Sequence, residues 1–309
     1  NFSNYKLSFD KKLNIFFGIN GCGKTNILEG ISLIDKGRGI RNSNLSNLIK
    51  KNENKFLIET DIEINNNNFG IEIFSENKND KQKKIITINN DLSKESLGFL
   101  NQSISYLIFV PEMERLFQAS PNYRRNFLDR LIYSSKNDYN KLINKYKKSL
   151  IERIKILQIH YVDNDWLNHI EKEICLLGLE IYKLRLNQLV SINSNLNILK
   201  KDHKFKFNVE LKLKDDFFSN EVTFDTYLSY LQDSRAFDRQ HGGTKIGPHR
   251  SDVIAVINDD FEASLLSTGQ QKTVVLMILL SQCNYLVEHK DINPILLFDE
   301  IGSHLDSNN

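Results

Sequence analysis

Gly18-Ile19-Asn20-Gly21-Cys22-Gly23-Lys24-Thr25 is the stretch that decides the fold, because it matches the phosphate-loop pattern GxxxxGK[ST]. An apolar run at residues 13–17 comes directly before it and predicts a buried strand. Apolar residues recur at helical spacing after it, at Ile27, Leu28, Ile31 and Ile34. A nucleotide-binding loop requires this order of strand, glycine-rich turn and helix, whereas a chance glycine-rich turn is the alternative.

The residue types of the loop predict how a phosphate would be held. Glycines let backbone N–H groups curl around an anion, and the start of the helix adds a favourable partial charge. Lys24 would reach the outer phosphates, and the hydroxyl of Thr25 would bind Mg²⁺. We assign Cys22 no redox role, because the loop binds through its backbone. The predicted nucleotide-binding residues of this segment are Gly18, Asn20, Gly21, Cys22, Gly23, Lys24, Thr25 and Asn26.

The composition is that of a globular protein, with 309 residues of which 40% are hydrophobic and 26% charged. This length allows two domains, or one domain with a large insertion. No apolar run approaches membrane-spanning length, and no signal peptide is recognisable. Because the net charge is only +2, affinity for DNA would have to come from local basic patches. We expect a fragment that lacks both extreme termini, because the first residue is not Met.

The three cysteines are far apart in the sequence, at Cys22, Cys175 and Cys283, and they include no CxxC motif. This spacing argues against a zinc site and against a disulfide framework. It is typical of a protein from a reducing compartment. The expected location is therefore the cytoplasm, with no membrane partner.

Hydrophobic periodicity divides the chain into three predicted parts, which together indicate an α/β fold. Residues 1–120 and 205–309 form the two halves of a head that contains the strands, and residues 121–204 form a helical insert. The insert has about eighty residues, enough at ~1.5 Å per residue for two to four ordinary helices but not for a long coiled-coil arm. The predicted strands of the head lie at residues 56–64, 69–74, 84–89, 106–110 and 205–213.

A second site signal lies near the C-terminus, where a buried apolar strand at residues 294–298 ends in Asp299 and Glu300. Ligands of open α/β sheets bind beyond the carboxyl ends of the strands, so these acids can face the same nucleotide as Lys24. Asp299 would complete the Mg²⁺ shell, and Glu300 would be the general base that positions the attacking water. We thus name Lys24, Asp299 and Glu300 as catalytic candidates. The alternative is a strand that simply ends in an acidic turn.

Between these motifs, Ser267-Thr268-Gly269-Gln270 begins an apolar helix over residues 274–286. The segment can be a helix cap and nothing more, or it can also bind an anion. The order of phosphate loop, Ser-Thr-Gly-Gln and Asp-Glu strand resembles the ATP-binding-cassette class. That resemblance implies ATP sandwiched between two heads, with Ser267, Gly269 and Gln270 completing the site of a second copy. It also places Asp306 at the D-loop.

Within that class, the chain resembles the RecF family of DNA replication and repair proteins. The resemblance rests on Asn1-Phe2-Ser3-Asn4-Tyr5, on Asn26-Ile27-Leu28-Glu29 after the phosphate loop, on Arg124-Arg125-Asn126-Phe127-Leu128-Asp129, on Gly247-Pro248-His249-Arg250-Ser251-Asp252, on Ser267-Thr268-Gly269-Gln270-Gln271-Lys272, and on Asp299-Glu300 with Leu305-Asp306. It implies an SMC-type P-loop ATPase head, with an antiparallel β subdomain and an inserted α-helical subdomain. The short insert agrees, because this family looks like an SMC head without the long coiled coil.

The resemblance also implies a function. ATP and Mg²⁺ would drive a homodimer to close on DNA, and slow hydrolysis would reset it. The dimer would act at single-strand gaps or at single-/double-strand junctions. There RecO and RecR would help to load the recombinase RecA, as part of DNA repair, replication restart and the SOS response.

A local basic surface on the insert is compatible with DNA binding. Arg124 and Arg125 are the candidate DNA contacts, although one of them can instead pair with Asp129. Nearby lysines either track phosphates or form a solvated helix face: Lys141, Lys145, Lys147 and Lys148.

The sequence departs from the cassette pattern at two places. The Gln of the Mg²⁺-sensing loop is absent, and Glu112 is its weak substitute, while the switch histidine would lie beyond Asn309. His249 and Arg250 can line the site or the dimer surface, or belong to a plain turn that Gly247 and Pro248 anchor.

Two other functions compete with the RecF-like one. The nucleotide-binding subunit of a membrane transporter shares the same head, but such subunits are more compact between the phosphate loop and the signature segment. A small-molecule kinase would also have a phosphate loop, but it would leave Ser267 and Gln270 without an explanation.

Overall fold

The computed structural model describes residues 4–10, 12–34, 39–40, 44–51, 53–64, 66–78, 81–159, 163–203, 207–217 and 222–302. The chain divides into two compact units. The first unit comprises Asn1–Pro111 and Ile292–Ser303, and the second comprises Glu112–Asp291 and His304–Asn309.

The first unit contains an antiparallel sheet of three strands, β1 (Leu57–Ile64), β2 (Asn67–Lys78) and β3 (Lys81–Ile88), in that spatial order. The predicted hairpin and third strand are confirmed. Exposed and half-buried residues alternate along β1, so only one face of this strand packs inward. The core of the unit consists of Leu33, Ile34, Ile71, Ile73, Ile86, Ile88 and Leu100.

The phosphate loop of the first unit leads into helix α1 (Lys24–Ser32), and a second helix, α2 (Lys94–Ser103), follows β3. Strands β4 (Tyr106–Phe109) and β8 (Ile295–Phe298), both predicted from apolar runs, form a parallel pair. Because they run parallel, their carboxyl ends meet at the same edge. Phe109 is buried at that end.

The apolar run before the phosphate loop is not a strand, and the prediction of a buried strand at residues 13–17 is wrong. Leu13, Ile15 and Phe17 are 72%, 73% and 91% exposed. Upstream, the Asp10 amide donates to Asn14 Oδ1 and the Asn14 amide group donates back to the Asp10 carbonyl, which closes a local turn. No described strand pairs with this run, so its alternating apolar side chains have no sheet to pack into.

The second unit begins with three helices, α3 (Pro121–Ser135), α4 (Tyr139–Gln158) and α5 (Asn164–His203). Their number agrees with the two to four helices predicted for the insert. Helix α5, at 40 residues, is longer than the ordinary helices that we expected. At about 1.5 Å per residue it extends for about 60 Å.

An antiparallel sheet and three more helices complete the second unit. Its strands are β5 (Val209–Lys214), β6 (Asp252–Ile257) and β7 (Phe261–Glu262), of which β5 was predicted. The remaining helices are α6 (Phe224–Asp233), α7 (Arg235–His241) and α8 (Thr268–Lys290), of which the last confirms the predicted apolar helix. Among the described residues, no helix combines the length and hydropathy that a membrane crossing needs.

Candidate functional site

The phosphate loop has a backbone that only glycine adopts easily. Gly21 and Gly23 have φ of 83° and 105°, in the left-handed region. Gly23 caps α1, and the first bond of that turn runs from the Ile27 amide to the Gly23 carbonyl. The first amides of a helix have no intrahelical acceptor, so they are available to an anion at this end.

Lys24 bonds back onto its own loop. Its Nζ lies 2.8 Å from the Gly18 carbonyl oxygen and 3.0 Å from that of Ile19. Both acceptors are neutral, so the ammonium keeps its full charge for an anion. A phosphate held by the loop would give Lys24 a charged acceptor close to its present position.

Thr25 and Asp299 come together at the carboxyl end of β8. The Thr25 hydroxyl donates to Asp299 Oδ1 at 3.1 Å, and only 8% of Asp299 is exposed. The Asp299 amide donates to the Phe109 carbonyl at 3.0 Å, which continues the β4–β8 pairing to this residue. Hydroxyl and carboxylate oxygens are hard donors of the kind that Mg²⁺ prefers. The two predicted metal ligands are thus adjacent, and their chemistry fits this ion.

Glu300 follows Asp299 in an uncommon backbone conformation. Its φ is 52°, which is rare for a residue other than glycine, and its side chain is exposed. The left-handed residue turns the chain sharply as β8 ends. The second predicted carboxylate therefore lies at the same strand end as Thr25 and Asp299.

Ser267 caps α8 in the second unit. Its hydroxyl accepts from the Gln270 amide at 3.4 Å, and its own amide donates to Gln270 Oε1 at 3.0 Å. The reciprocal pair is a capping box. Gly269 lies in the first turn, where its carbonyl accepts from the Thr273 hydroxyl. Ser267 is exposed, so capping leaves it accessible. Asp306, predicted for the D-loop, lies outside the described residues.

Lys272 is fully buried five residues after Ser267, and sequence reasoning gave it no role. Its Nζ donates to Glu114 Oε1 at 2.8 Å. Glu114 lies in a 3-10 helix, Pro111–Gln118, which follows β4 directly. A buried ammonium requires a charged partner, so this pair fixes the start of α8 to the segment after β4. Glu112, the predicted substitute in the Mg²⁺-sensing loop, lies in the same segment and is exposed.

Arg124, one of the two candidate DNA contacts, points inward and pairs with Asp252 and not with Asp129. Its Nε and Nη2 donate to the two carboxylate oxygens of Asp252 at 2.7 and 2.6 Å. Its Nη1 donates to the carbonyls of Phe117 and Ala119. The guanidinium therefore ties the start of α3 to β6, and little of it is left for an external ligand.

Asp129 pairs with Arg185 of α5 instead. Both carboxylate oxygens accept from this guanidinium at 2.9 Å, and the Tyr139 hydroxyl donates to Oδ1. Arg125 is partly buried, and its Nη1 donates to the Ser251 carbonyl at 2.6 Å. Burial lowers the pKa of Arg125, and the positive charge of Arg185 lowers it further.

The four candidate lysines of α4, Lys141, Lys145, Lys147 and Lys148, divide into two groups. Lys141 pairs with Asp138 and Lys145 pairs with Glu173, each at 2.6 Å. Lys147 and Lys148 are exposed. The basic surface that we expected on this helix is therefore partly neutralised.

His249 belongs to a packed turn, with its ring directed inward. Its Nε2 lies 2.8 Å from the Thr244 carbonyl and its Nδ1 lies 2.8 Å from the Tyr146 hydroxyl. A carbonyl can only accept, so Nε2 carries the proton and Nδ1 accepts from Tyr146. Burial lowers the pKa of His249 to about 4, and the nearby Arg250 adds to the shift. His249 thus remains neutral at physiological pH, whereas Arg250 is exposed.

A buried arginine supports this turn from the other side. Arg153 is fully buried, and its Nη1 donates to Asp238 Oδ2 at 2.6 Å and to the Thr244 hydroxyl at 3.0 Å. Its Nε donates to Glu171 at 2.9 Å. Sequence reasoning missed this cluster, because its members are scattered along the chain and belong to no motif.

Known proteins similar to this chain were found by sequence and by structure. The family model for the RecF/RecN/SMC N terminal domain matches residues 1–309. The DNA replication and repair protein RecF of Rickettsia felis is 33% identical over 312 residues, which cover 99% of this chain and 84% of the relative.

Two solved structures share the fold. One, described as the recombination mediator protein RecF-ATP in the RecFOR pathway, has a TM-score of 0.82 at 27% identity and covers 98% of this chain and 82% of its own. The other, described as RecF-ATPrS in the same pathway, has a TM-score of 0.78 at 26% identity and covers 94% and 80%.

Proposed function

The chain belongs to the RecF family, within the RecF/RecN/SMC N-terminal domain proteins, and from this premise we propose that it is an ATP-dependent DNA-binding protein of replication and repair. The observation that carries the proposal is the Thr25–Asp299 contact at the carboxyl end of β8. It brings the phosphate loop and the distal acidic strand together within one unit, which supports the proposal that both motifs serve a single site.

In this site the glycine-rich turn and the first amides of α1 hold the phosphates, and Lys24 neutralises the outer ones. Thr25 and Asp299 supply the oxygen ligands for Mg²⁺, which would offset charge on the phosphates when bound. Glu300 accepts a proton from the attacking water. Among the described residues, the Lys24 ammonium donates only to the carbonyls of Gly18 and Ile19, and this supports a role in which it binds a phosphate.

We further propose that a second copy of the chain completes the site. Ser267 is the exposed cap of α8, and Gly269 lies half-buried in the first turn of this helix, whose amide end favours an anion. They would contact the nucleotide held by the partner copy, so that ATP closes two heads and hydrolysis by a slow ATPase reopens them. Asp306 is the proposed D-loop residue of the same interface.

The proposed partner of the closed dimer is DNA with a gap or a single-/double-strand junction. The RecFOR pathway named for the related structures supports RecO and RecR as further proposed partners. The proposed location is the cytoplasm. ATP-dependent dimerisation, measured by light scattering with and without gapped DNA, tests the proposal. Glu300→Gln should keep ATP binding, slow hydrolysis and trap the dimer, because it removes the base but keeps the shape. A variant that stays monomeric at saturating ATP would contradict the two-copy site.

A further inference from the structure

The loop at residues 242–251 of the second unit, here named the GPHR loop, is strongly basic. The sequence contains no acidic residue between Arg239 and Ser251. Lys245 and Arg250 are exposed, and the Lys245 ammonium lies 3.6 Å from the centroid of the Phe237 ring. The loop therefore presents a concentrated positive charge in a protein whose overall charge is nearly balanced.

Hydrogen bonds and close packing fix the conformation of the GPHR loop. Thr244 accepts from Arg153 through its hydroxyl and from His249 through its carbonyl. Gly247 has φ of 117°, and a Cβ at this position would collide with the hydroxyls of Tyr146 and Tyr227. These contacts fix the loop before any ligand arrives, and such preorganisation lowers the cost of binding.

Two guanidinium groups flank the end of this loop. Arg250 donates through Nε to the Thr244 carbonyl at 3.0 Å, and Arg125 donates through Nη1 to the Ser251 carbonyl at 2.6 Å. Arg125 thus bonds to the residue that directly follows Arg250. Each arginine retains further N–H groups that donate to no acceptor in the described part of the chain.

In the described part of the chain, neither of these two arginines forms an ion pair. Their neighbours Arg124 and Arg185 form ion pairs with Asp252 and Asp129. Within the described ranges, neither Arg125 nor Arg250 lies within 4.0 Å of a carboxylate oxygen. The pKa of Arg125 is lowered by burial and by Arg185, raised by the charges of Asp252 and Asp129, and lowered again by Arg250. A bound anion would stabilise the charged form of Arg125 against the burial and the neighbouring cations.

We propose that Arg125 and Arg250 together bind a phosphate of the DNA backbone. The inference rests on the proposed DNA-binding function and assigns it a surface. It also divides the Arg124–Arg125 pair, since Arg124 is structural and Arg125 acts with a residue 125 positions away along the chain. Guanidinium groups donate two parallel hydrogen bonds to a phosphate, and a rigid loop keeps them in place. The phosphate of a free nucleotide is the alternative ligand that these two arginines could bind by the same hydrogen bonds.

The test compares the salt dependence of duplex DNA binding by full-length variants in the presence of ATP. Arg250→Ala changes an exposed side chain, so the fold should be retained. Because the two arginines share one phosphate, Arg125→Ala with Arg250→Ala should reduce the slope of log K against log salt by about 1, and Arg250→Ala alone should already reduce it measurably. Lys200→Ala with Lys201→Ala removes the same charge from exposed positions on α5 and should leave the slope unchanged. ATP affinity, titrated without DNA, should be unaffected in all variants.

The possible results distinguish a failure of the proposed arginine site from a failure of the proposed DNA-binding function. If the wild-type chain does not bind DNA, the proposed function fails and the site fails with it. If the wild type binds but Arg250→Ala keeps the full slope, only the site is wrong. A loss of ATP affinity with an unchanged DNA slope would also overturn it, because the two arginines would then serve a nucleotide.

Discussion

The Thr25 hydroxyl donates to Asp299 Oδ1 at 3.1 Å, although 274 positions separate the two residues. The contact joins the first turn of α1 to the end of β8. It is made by the two side chains that the phosphate-loop and strand-end motifs independently identify as metal ligands. If both side chains bind the same Mg²⁺, the affinity for ATP should depend on Mg²⁺ and on both residues.

Asp299→Asn should weaken ATP binding in Mg²⁺ at least about tenfold, because loss of a group that holds a metal typically costs that much affinity or more. In EDTA the same variant should bind ATP about as well as the wild type, since Lys24 and the loop amides remain. A fluorescent ATP analogue, titrated with and without Mg²⁺, measures both values. Thr25→Ser is the matched control, because it keeps the hydroxyl. If the Asp299 variant loses equal affinity in both buffers, Asp299 acts on the fold and not through a metal.

Mixing two inactive variants tests whether the site is shared between copies. Lys24→Ala should lose ATP binding, because the loop loses its only cation. Ser267→Ala should bind ATP but fail to hydrolyse it, because the damaged group serves the nucleotide of the partner. An equimolar mixture should recover ATPase activity, since a mixed dimer has one composite site with both an intact loop and an intact Ser267.

The control for this mixture is each variant alone at the same total concentration. Ser267 also caps α8, so a second variant, Ser267→Asp, should be examined for helix stability. Aspartate caps as well as serine but brings a negative charge towards the phosphates. Wild-type activity in that variant, or no recovery in the mixture, would mean that each monomer works alone.

The sequence predicted part of the local structure around the site motifs well: a helix begins in the phosphate loop, a strand ends just before Asp299, and a helix begins just after Ser267. The phosphate loop, the acids after β8 and the cap at Ser267 each depend on residues within one turn or one strand end. Their geometry follows from neighbouring residues, so a short segment is sufficient to recognise them.

Interactions between distant residues account for the errors. Arg124 was expected as a DNA contact, but it is engaged by a carboxylate, Asp252, that lies 128 positions away. The run at residues 13–17 is apolar enough for a buried strand, but burial depends on a neighbouring strand that no local pattern specifies. The Arg153 cluster and the Lys272–Glu114 pair were missed for the same reason, because a single charged residue does not identify its partner.

His249 should make the stability of the protein depend on pH. The pKa of His249 is lowered from 6.5 to about 4 in the folded state, chiefly because burial disfavours the imidazolium. The unfolded chain therefore takes up a proton first as the pH falls. The stabilising effect is complete above pH 6.5 and is lost between 6.5 and about 4, to a total of up to about 3 kcal/mol.

Urea unfolding of wild type and His249→Gln at several pH values isolates this effect. Glutamine can keep hydrogen bonds to Tyr146 and Thr244 but does not titrate. The difference in unfolding free energy between the two proteins should narrow as the pH falls from 7 to 4.5. A constant difference over that range would show that protonation of His249 is not linked to folding.

Lys272 and Glu114 should be strongly coupled in stability. Lys272→Met leaves the Glu114 carboxylate buried beside an apolar chain, which should cost about 3–5 kcal/mol of unfolding free energy. Glu114→Gln leaves the ammonium without its countercharge and should also destabilise. The double variant removes both charges, and it should recover most of the loss, because replacing a buried pair by neutral groups is often nearly neutral. Lys145→Met, at the exposed pair with Glu173, should cost less than about 1 kcal/mol. A double variant whose cost equals the sum of the single ones would show that the two charges act separately, and the start of α8 would then not depend on this pair for its position.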